Sequence, residues 1–207
     1  MKLNKDFSTL VIVGGWNRFI FTLNWVGKYL LPNEQLTLEL NPQTFAVRIS
    51  SKDVRIALQE NKLSFIPVEN RDNNFDRIQE IALHLADHLP HTPVSGYGVN
   101  FLFSGPRNDN LRNLIKPEDL SRIEEFGASL NSEKYTRRLT LKDRTLNFSI
   151  ELKDSEAIFD FNFHFSISDL TEFKGKICDS PILELKQEAV NFMAEIYELE
   201  LEEKDSK

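Results

Sequence analysis

A phenylalanine stands at every second position from 159 to 165, and Ile167 extends the row. Asp160, Asn162, His164 and Ser166 fill the places between. Successive side chains of a strand point to opposite faces, so this run predicts a strand with one dry face and one wet face. The same period governs 144–152, where Leu146, Phe148, Ile150 and Leu152 alternate with Thr145, Asn147, Ser149 and Glu151. The run 135–142 adds Leu139 and Leu141 to the apolar side, so the three predict an antiparallel β-meander. A two-residue turn at Asp143-Arg144 would set Lys142 opposite Thr145. A four-residue loop from Lys153 to Glu156 would set Leu152 opposite Ala157. The inner rows then read Leu141–Leu146–Phe163 and Leu139–Phe148–Phe161. The outer rows read Lys142–Thr145–His164 and Arg138–Ser149–Asp160. A slip of one residue would turn every apolar side chain outward.

Helical periodicity follows at the end of the chain. Ile182, Leu185, Ala189, Met193 and Ile196 form one stripe, opened by Ser180 as N-cap and Pro181 as first helical residue. Val190, Phe192, Tyr197 and Leu199 widen it beyond the roughly 100° that one sheet face covers. The surplus predicts a second contact, with the rest of the chain or with another chain, through Phe192, Tyr197 and Leu199. A further helix is expected over Phe75 to Leu89, capped by Asn74 and stopped by Pro90, and a short one from Pro117 to Gly127.

The first half reads as strands: Leu10–Val13, Trp16–Leu23, Gln35–Leu40, Thr44–Ser50 with Phe45, Val47 and Ile49 aligned, a hairpin over 54–58 and 63–68, and Tyr97–Phe103. The expected fold class is α+β, with two antiparallel sheet lobes each packed by helices. The boundaries fall at 1–104 for a strand-rich N-terminal lobe, 105–134 for a connection, and 135–207 for a βββα lobe. One continuous domain is the alternative.

Composition narrows the functions. The chain has 207 residues, 41% hydrophobic and 28% charged, the composition of ordinary globular material. Its apolar runs fall far short of the ~20 residues of a membrane helix. The net charge of −7 arises entirely in 105–207, because 1–104 is neutral. A field of this sign opposes nucleic acid and anionic membrane. Cys178 is the one cysteine, which excludes an internal disulfide and suits a reducing cytosol. It is expected in a loop before the last helix, inert for want of a histidine nearby.

Candidate chemistry is sparse. His84 and His88 stand four apart on one helical face, with His91 beyond, and could ligate a metal. Leu85 replaces the glutamate that a zinc-protease helix would carry after its first histidine. Gly14-Gly15 follows a strand but leads into Trp16-Asn17-Arg18, which reads as a turn or bulge rather than a phosphate loop. Arg138, Lys142, Asp160 and His164 share the polar sheet face, where a ligand could bind. Arg137 is odd, since its parity puts it on the apolar side. The order helix, proline, Val99-Asn100-Phe101 resembles that of SecB-type export chaperones, over too few residues to transfer any role.

No catalytic constellation and no cofactor motif emerges. The leading expectation is a non-catalytic cytosolic protein-interaction or scaffold protein that associates with itself. The alternative is a chaperone-like or adaptor module binding an extended peptide along a sheet edge. A metal-dependent hydrolase using His84, His88 and His91 comes third. The expected partner is a protein or a second copy, not a membrane and not nucleic acid.

Overall fold

The computed structural model describes residues 1–5, 7–40, 47–107, 111, 125–126, 131–153 and 155–202. The chain is mixed α+β, and its described strands form one antiparallel sheet of ten. They are β1 (Lys2–Leu3), β2 (Leu10–Gly14), β3 (Thr37–Leu40), β4 (Val47–Ser50), β5 (Val54–Leu58), β6 (Lys62–Pro67), β7 (Val94–Pro106), β8 (Ser132–Thr140), β9 (Thr145–Lys153) and β10 (Glu156–Ser166). The spatial order is β3-β4-β5-β6-β2-β7-β10-β9-β8, with β1 also paired to β7. Four helices accompany them among the described residues: α1 (Leu23–Tyr29), α2 (Asp72–His88), α3 (Leu170–Asp179) and α4 (Ile182–Tyr197). None is long and apolar enough to cross a membrane.

One sheet replaces the two expected, and the reason is β7. Eleven of its thirteen residues pair with β10, from Gly96↔Ser166 to Pro106↔Glu156. Its other edge takes β2 along 94–99 and β1 at 103–104. The strands of the expected halves therefore join through a pairing between residues about sixty apart, which no local pattern reveals. Most of the helix expected at 117–127, and most of the expected connection, lie outside the described residues, as does Phe45.

Parity sorts the two faces. Tyr97, Val99, Phe101 and Phe103 of β7 are buried, as are Phe159, Phe161, Phe163 and Phe165 of β10 and Leu146, Phe148, Ile150 and Leu152 of β9. The helices lie on this face: Phe75 of α2 meets Phe101 with centroids 6.2 Å apart, Phe173 of α3 meets Tyr97 at 4.9 Å, and Phe192 of α4 meets Phe148 at 5.1 Å. Each buried ring contributes about 1.5–3 kcal/mol by leaving water. Edge-to-face contacts such as Phe103–Phe161, at 89° and 5.8 Å, add to this.

The β9–β10 register is the one expected, with Leu152 opposite Ala157 and Phe148 opposite Phe161. The β8–β9 register is two residues away from expectation. Thr140 pairs with Thr145, Leu139 with Leu146, and Arg137 with Phe148. A slip of two keeps every face, so patterning cannot detect it. The connection becomes the four residues 141–144, closed by the Leu141 N–H donating to the Arg144 carbonyl at 2.9 Å. The outer rows change accordingly to Thr140–Thr145–His164, Arg138–Asn147–Asn162 and Thr136–Ser149–Asp160.

Four local expectations are corrected. Trp16–Leu23 is not a strand. The Asn17 side chain accepts from the Phe19 N–H at 3.1 Å and turns the chain, and Thr22 caps α1 by accepting from the Trp25 N–H at 3.2 Å. Cys178 lies exposed within α3, not in a loop. This helix is opened by Asp169, whose carboxylate accepts from the Glu172 N–H at 2.8 Å, while Glu172 accepts from the Ser168 N–H at 2.9 Å. Asn74 is not a cap. It sits inside α2, which starts at Asp72, and donates to the Asp53 carbonyl at 2.8 Å. In α4 the cap is Pro181 rather than Ser180, and the Ile182 N–H is satisfied by the Gln79 side chain at 2.9 Å.

Candidate interaction surface

Among the described residues the sheet ends at β3 on one side and β8 on the other. Both end strands leave backbone groups that no described strand takes up, and they manage this differently.

β3 is short and exposed at all four residues. Its register on β4 places Leu38 beside Ile49, which is 1% exposed, and Leu40 beside Val47. Leu38 and Leu40 therefore continue the apolar, helix-side row of the sheet, yet they are 42% and 65% exposed. Leu36 lies in line with them and is half-buried, its Cδ1 approaching α1 at Gly27. On the opposite face Glu39 pairs with Arg48 at 3.5 Å beside Thr37. The alternation Leu36-Thr37-Leu38-Glu39-Leu40 thus produces a leucine row with little above it.

β8 is nine residues long and carries Lys134, Arg137 and Arg138, all exposed. Glu133 and Tyr135 are half-buried, and the Tyr135 hydroxyl donates to the Glu133 carboxylate at 2.5 Å. Arg137 does lie on the helix side, where its guanidinium reaches the Tyr197 hydroxyl at 3.4 Å instead of an acid of the last helix. Burial raises the Tyr197 pKa, with Arg137 opposing. At the corner, Arg144 joins Glu188 of α4, and its guanidinium lies over Phe163 and Phe165 at 5.8 and 5.9 Å.

The surface expected from Phe192, Tyr197 and Leu199 is already covered by the chain itself. Tyr197 is 3% exposed and Leu199 8%, and Tyr197 meets Phe159 with centroids 5.5 Å apart. Phe192 is half-buried against Phe148 and Phe161. The wide stripe of α4 is absorbed by β9 and β10 beneath it and by α2 beside it. On that helix the large apolar side chain left exposed is Ile196.

His88 and His91 line a pocket of about 400 Å³ together with Trp16, Ile20 and Phe21. His88 also packs on Tyr29 with centroids 4.6 Å apart, ending an aromatic series that runs from Trp16 through Phe21 and Trp25. His84 is half-buried, and its Nδ1 is buried with no hydrogen-bond partner. Among the described residues no three His, Cys, Asp or Glu side chains converge as a metal ion requires. Gly14 and Gly15 form no phosphate loop. A bulge at Val13/Gly14 lets the chain press against Pro93, whose carbonyl lies 2.6 Å from where a Gly14 Cβ would be.

The polar face carries Arg138, Asp160 and His164 on strands, whereas Lys142 sits in the β8–β9 connection. Desolvation pushes the Asp160 carboxyl above its ordinary value, with Lys134 pulling it back. The ordered feature of this face is an asparagine ladder absent from the expected site residues. Asn147 donates to Asn162 at 2.8 Å, Asn162 to Asn100 at 2.6 Å, and Asn100 to the Ser8 carbonyl at 2.8 Å. Its sequence signal was three outward-parity asparagines, readable only once β7 is known to pair with β10. Compared with family models, with curated proteins and with solved structures, the chain matches none.

Proposed function

We propose that this chain is a non-catalytic protein-interaction or scaffold protein that engages its partner by strand addition at β3. The observation behind the reading is the leucine row of that strand, exposed at Leu38 and Leu40 while in register with the buried Ile49. An added strand would satisfy the outer backbone groups of β3 and cover those leucines in one step. A chaperone-like or adaptor role, taking an extended peptide, uses the same edge and differs only in the occupant. The single cysteine, exposed on α3, supports a reducing compartment such as the cytosol.

Amide hydrogen exchange tests the reading. Residues 36–40 are expected to gain protection either as chain concentration rises or on adding a peptide of alternating leucine and threonine. Exchange unchanged in both arms overturns it.

A further inference from the structure

Resting on this reading of β3 as the contact edge, we propose that its occupant is a second copy of the same chain. The two β3 strands pair antiparallel about a twofold axis at Leu38.

The register follows from parity and charge. A twofold axis normal to the sheet places like faces together only when it passes through a residue position, not between two. With the axis at Leu38, Leu38 faces its own copy, Leu36 faces Leu40 twice over, and Thr37 faces Glu39. The leucines of both copies then form one apolar row between the two Ile49 side chains. No like charges are opposed, and each Glu39 keeps its Arg48. Moving the axis to Glu39 sets two carboxylates against each other. Moving it to Thr37 leaves Leu40, the most exposed of the row, opposite Glu34.

The other end of the sheet is a poor rival. An axis at Thr136 of β8 opposes Lys134 to Arg138, and an axis at Arg137 opposes two guanidiniums. Glu133, the acid on that strand, is already engaged by Tyr135 and lies 3.9 Å from Arg107. Cationic edge residues of this kind prevent pairing in many sheets. β3 is short, so the contact lies at the small end of specific interfaces and the dimer should depend on concentration.

The test is a cysteine placed on the axis. In a chain carrying Cys178→Ser, the Leu38→Cys variant brings two residue-38 Cα atoms to about 4.5–5.5 Å, within disulfide reach. Mild oxidation should give a covalent dimer, whereas Leu40→Cys, with its copies four positions apart, should not. Sedimentation of the unmodified chain should show a monomer–dimer equilibrium. Leu38→Lys, by opposing two cations on the axis, and Leu40→Lys, by setting a cation against Leu36 in the apolar row, should each weaken it about tenfold or more, with unchanged circular dichroism. A monomer at millimolar concentration, equal cross-linking at 38 and 40, or a dimer indifferent to both lysines overturns the proposal. A monomer whose β3 amides are nevertheless protected by the added peptide removes the second copy but leaves strand addition standing. A monomer without that protection removes both.

Discussion

The two ends of the sheet are built from the same backbone geometry and differ in how they are secured. At the β8 end, side chains tie strand to helix: Arg137 to Tyr197, and Arg144 to Glu188 beneath a bed of phenylalanines. The asparagine ladder reinforces this half, running from β9 through β10 to β7 and stopping at Ser8. At the β3 end there is a Glu39–Arg48 pair and a row of leucines under water. An end guarded by cations and stapled to helices is finished. An end that exposes Leu38 and Leu40 in line with the core, with no described strand beyond it, has the character of the contact edge proposed above.

Substitutions can break or sharpen this contrast. The largest effect is expected at Phe148, whose ring meets Phe159, Phe161, Phe192 and Tyr197. Phe148→Ala should lower unfolding free energy by about 3–5 kcal/mol in denaturant melts. Leu40→Ala, measured at low concentration, should stay within about 0.5 kcal/mol. Equal losses would erase the difference between the ends.

Next comes the ladder. A Cβ on Gly98 would lie 2.5 Å from the Asn162 amide nitrogen. Gly98→Ala should therefore displace Asn162 and reduce stability by about 1–3 kcal/mol. A neutral result would mean that the ladder does not reinforce the β8 half.

A smaller effect, of opposite sign, is expected at Glu198, the left-handed cap of α4 with φ of 55°. Its N–H donates to the Ala194 carbonyl at 3.1 Å and that of Leu199 to Met193 at 3.2 Å, the bonds of a helix end that favours glycine. Glu198→Gly should gain about 0.5–1 kcal/mol and tighten the β8 end further.

The smallest concerns Asp160 on the outer face. A carboxyl whose folded pKa is raised binds its proton more tightly folded than unfolded. Its ionised form therefore disfavours the fold, and the penalty grows as pH rises through the ordinary carboxylate range. Asp160→Asn should raise the melting temperature slightly at neutral pH, and the gain should vanish on acidification below about pH 4. A gain that persists in acid would mean that charge is not its source.

Much of this was legible in sequence, for reasons that separate cleanly. The phenylalanines at 159–165 and the alternation over 145–152 fixed faces and the β9–β10 register, because one face is wholly buried. The same logic left β8 ambiguous by two residues, since Arg137 and Leu139 share a parity. The α3 helix was missed although Ser168-Asp169 and Glu172 spell its start. Trp16–Leu23 misled because large apolar residues occupied both parities, while the decisive signals were the small acceptors Asn17 and Thr22. As for the candidate site, Leu36, Leu38 and Leu40 were visible as a strand. That this strand ends the sheet was not, because position within a sheet is a property of distant pairings.

The thirteen residues of β7 carry a further consequence. During synthesis its N-terminal neighbours are available from the start, but β10 emerges only some fifty residues later. Until then the nascent strand presents an unzipped flank beside Phe101 and Phe103, an invitation to misassembly. A ribosome stalled ahead of Glu156 would therefore release a sticky fragment, and shielding by a holdase over that interval should raise the yield of the finished fold.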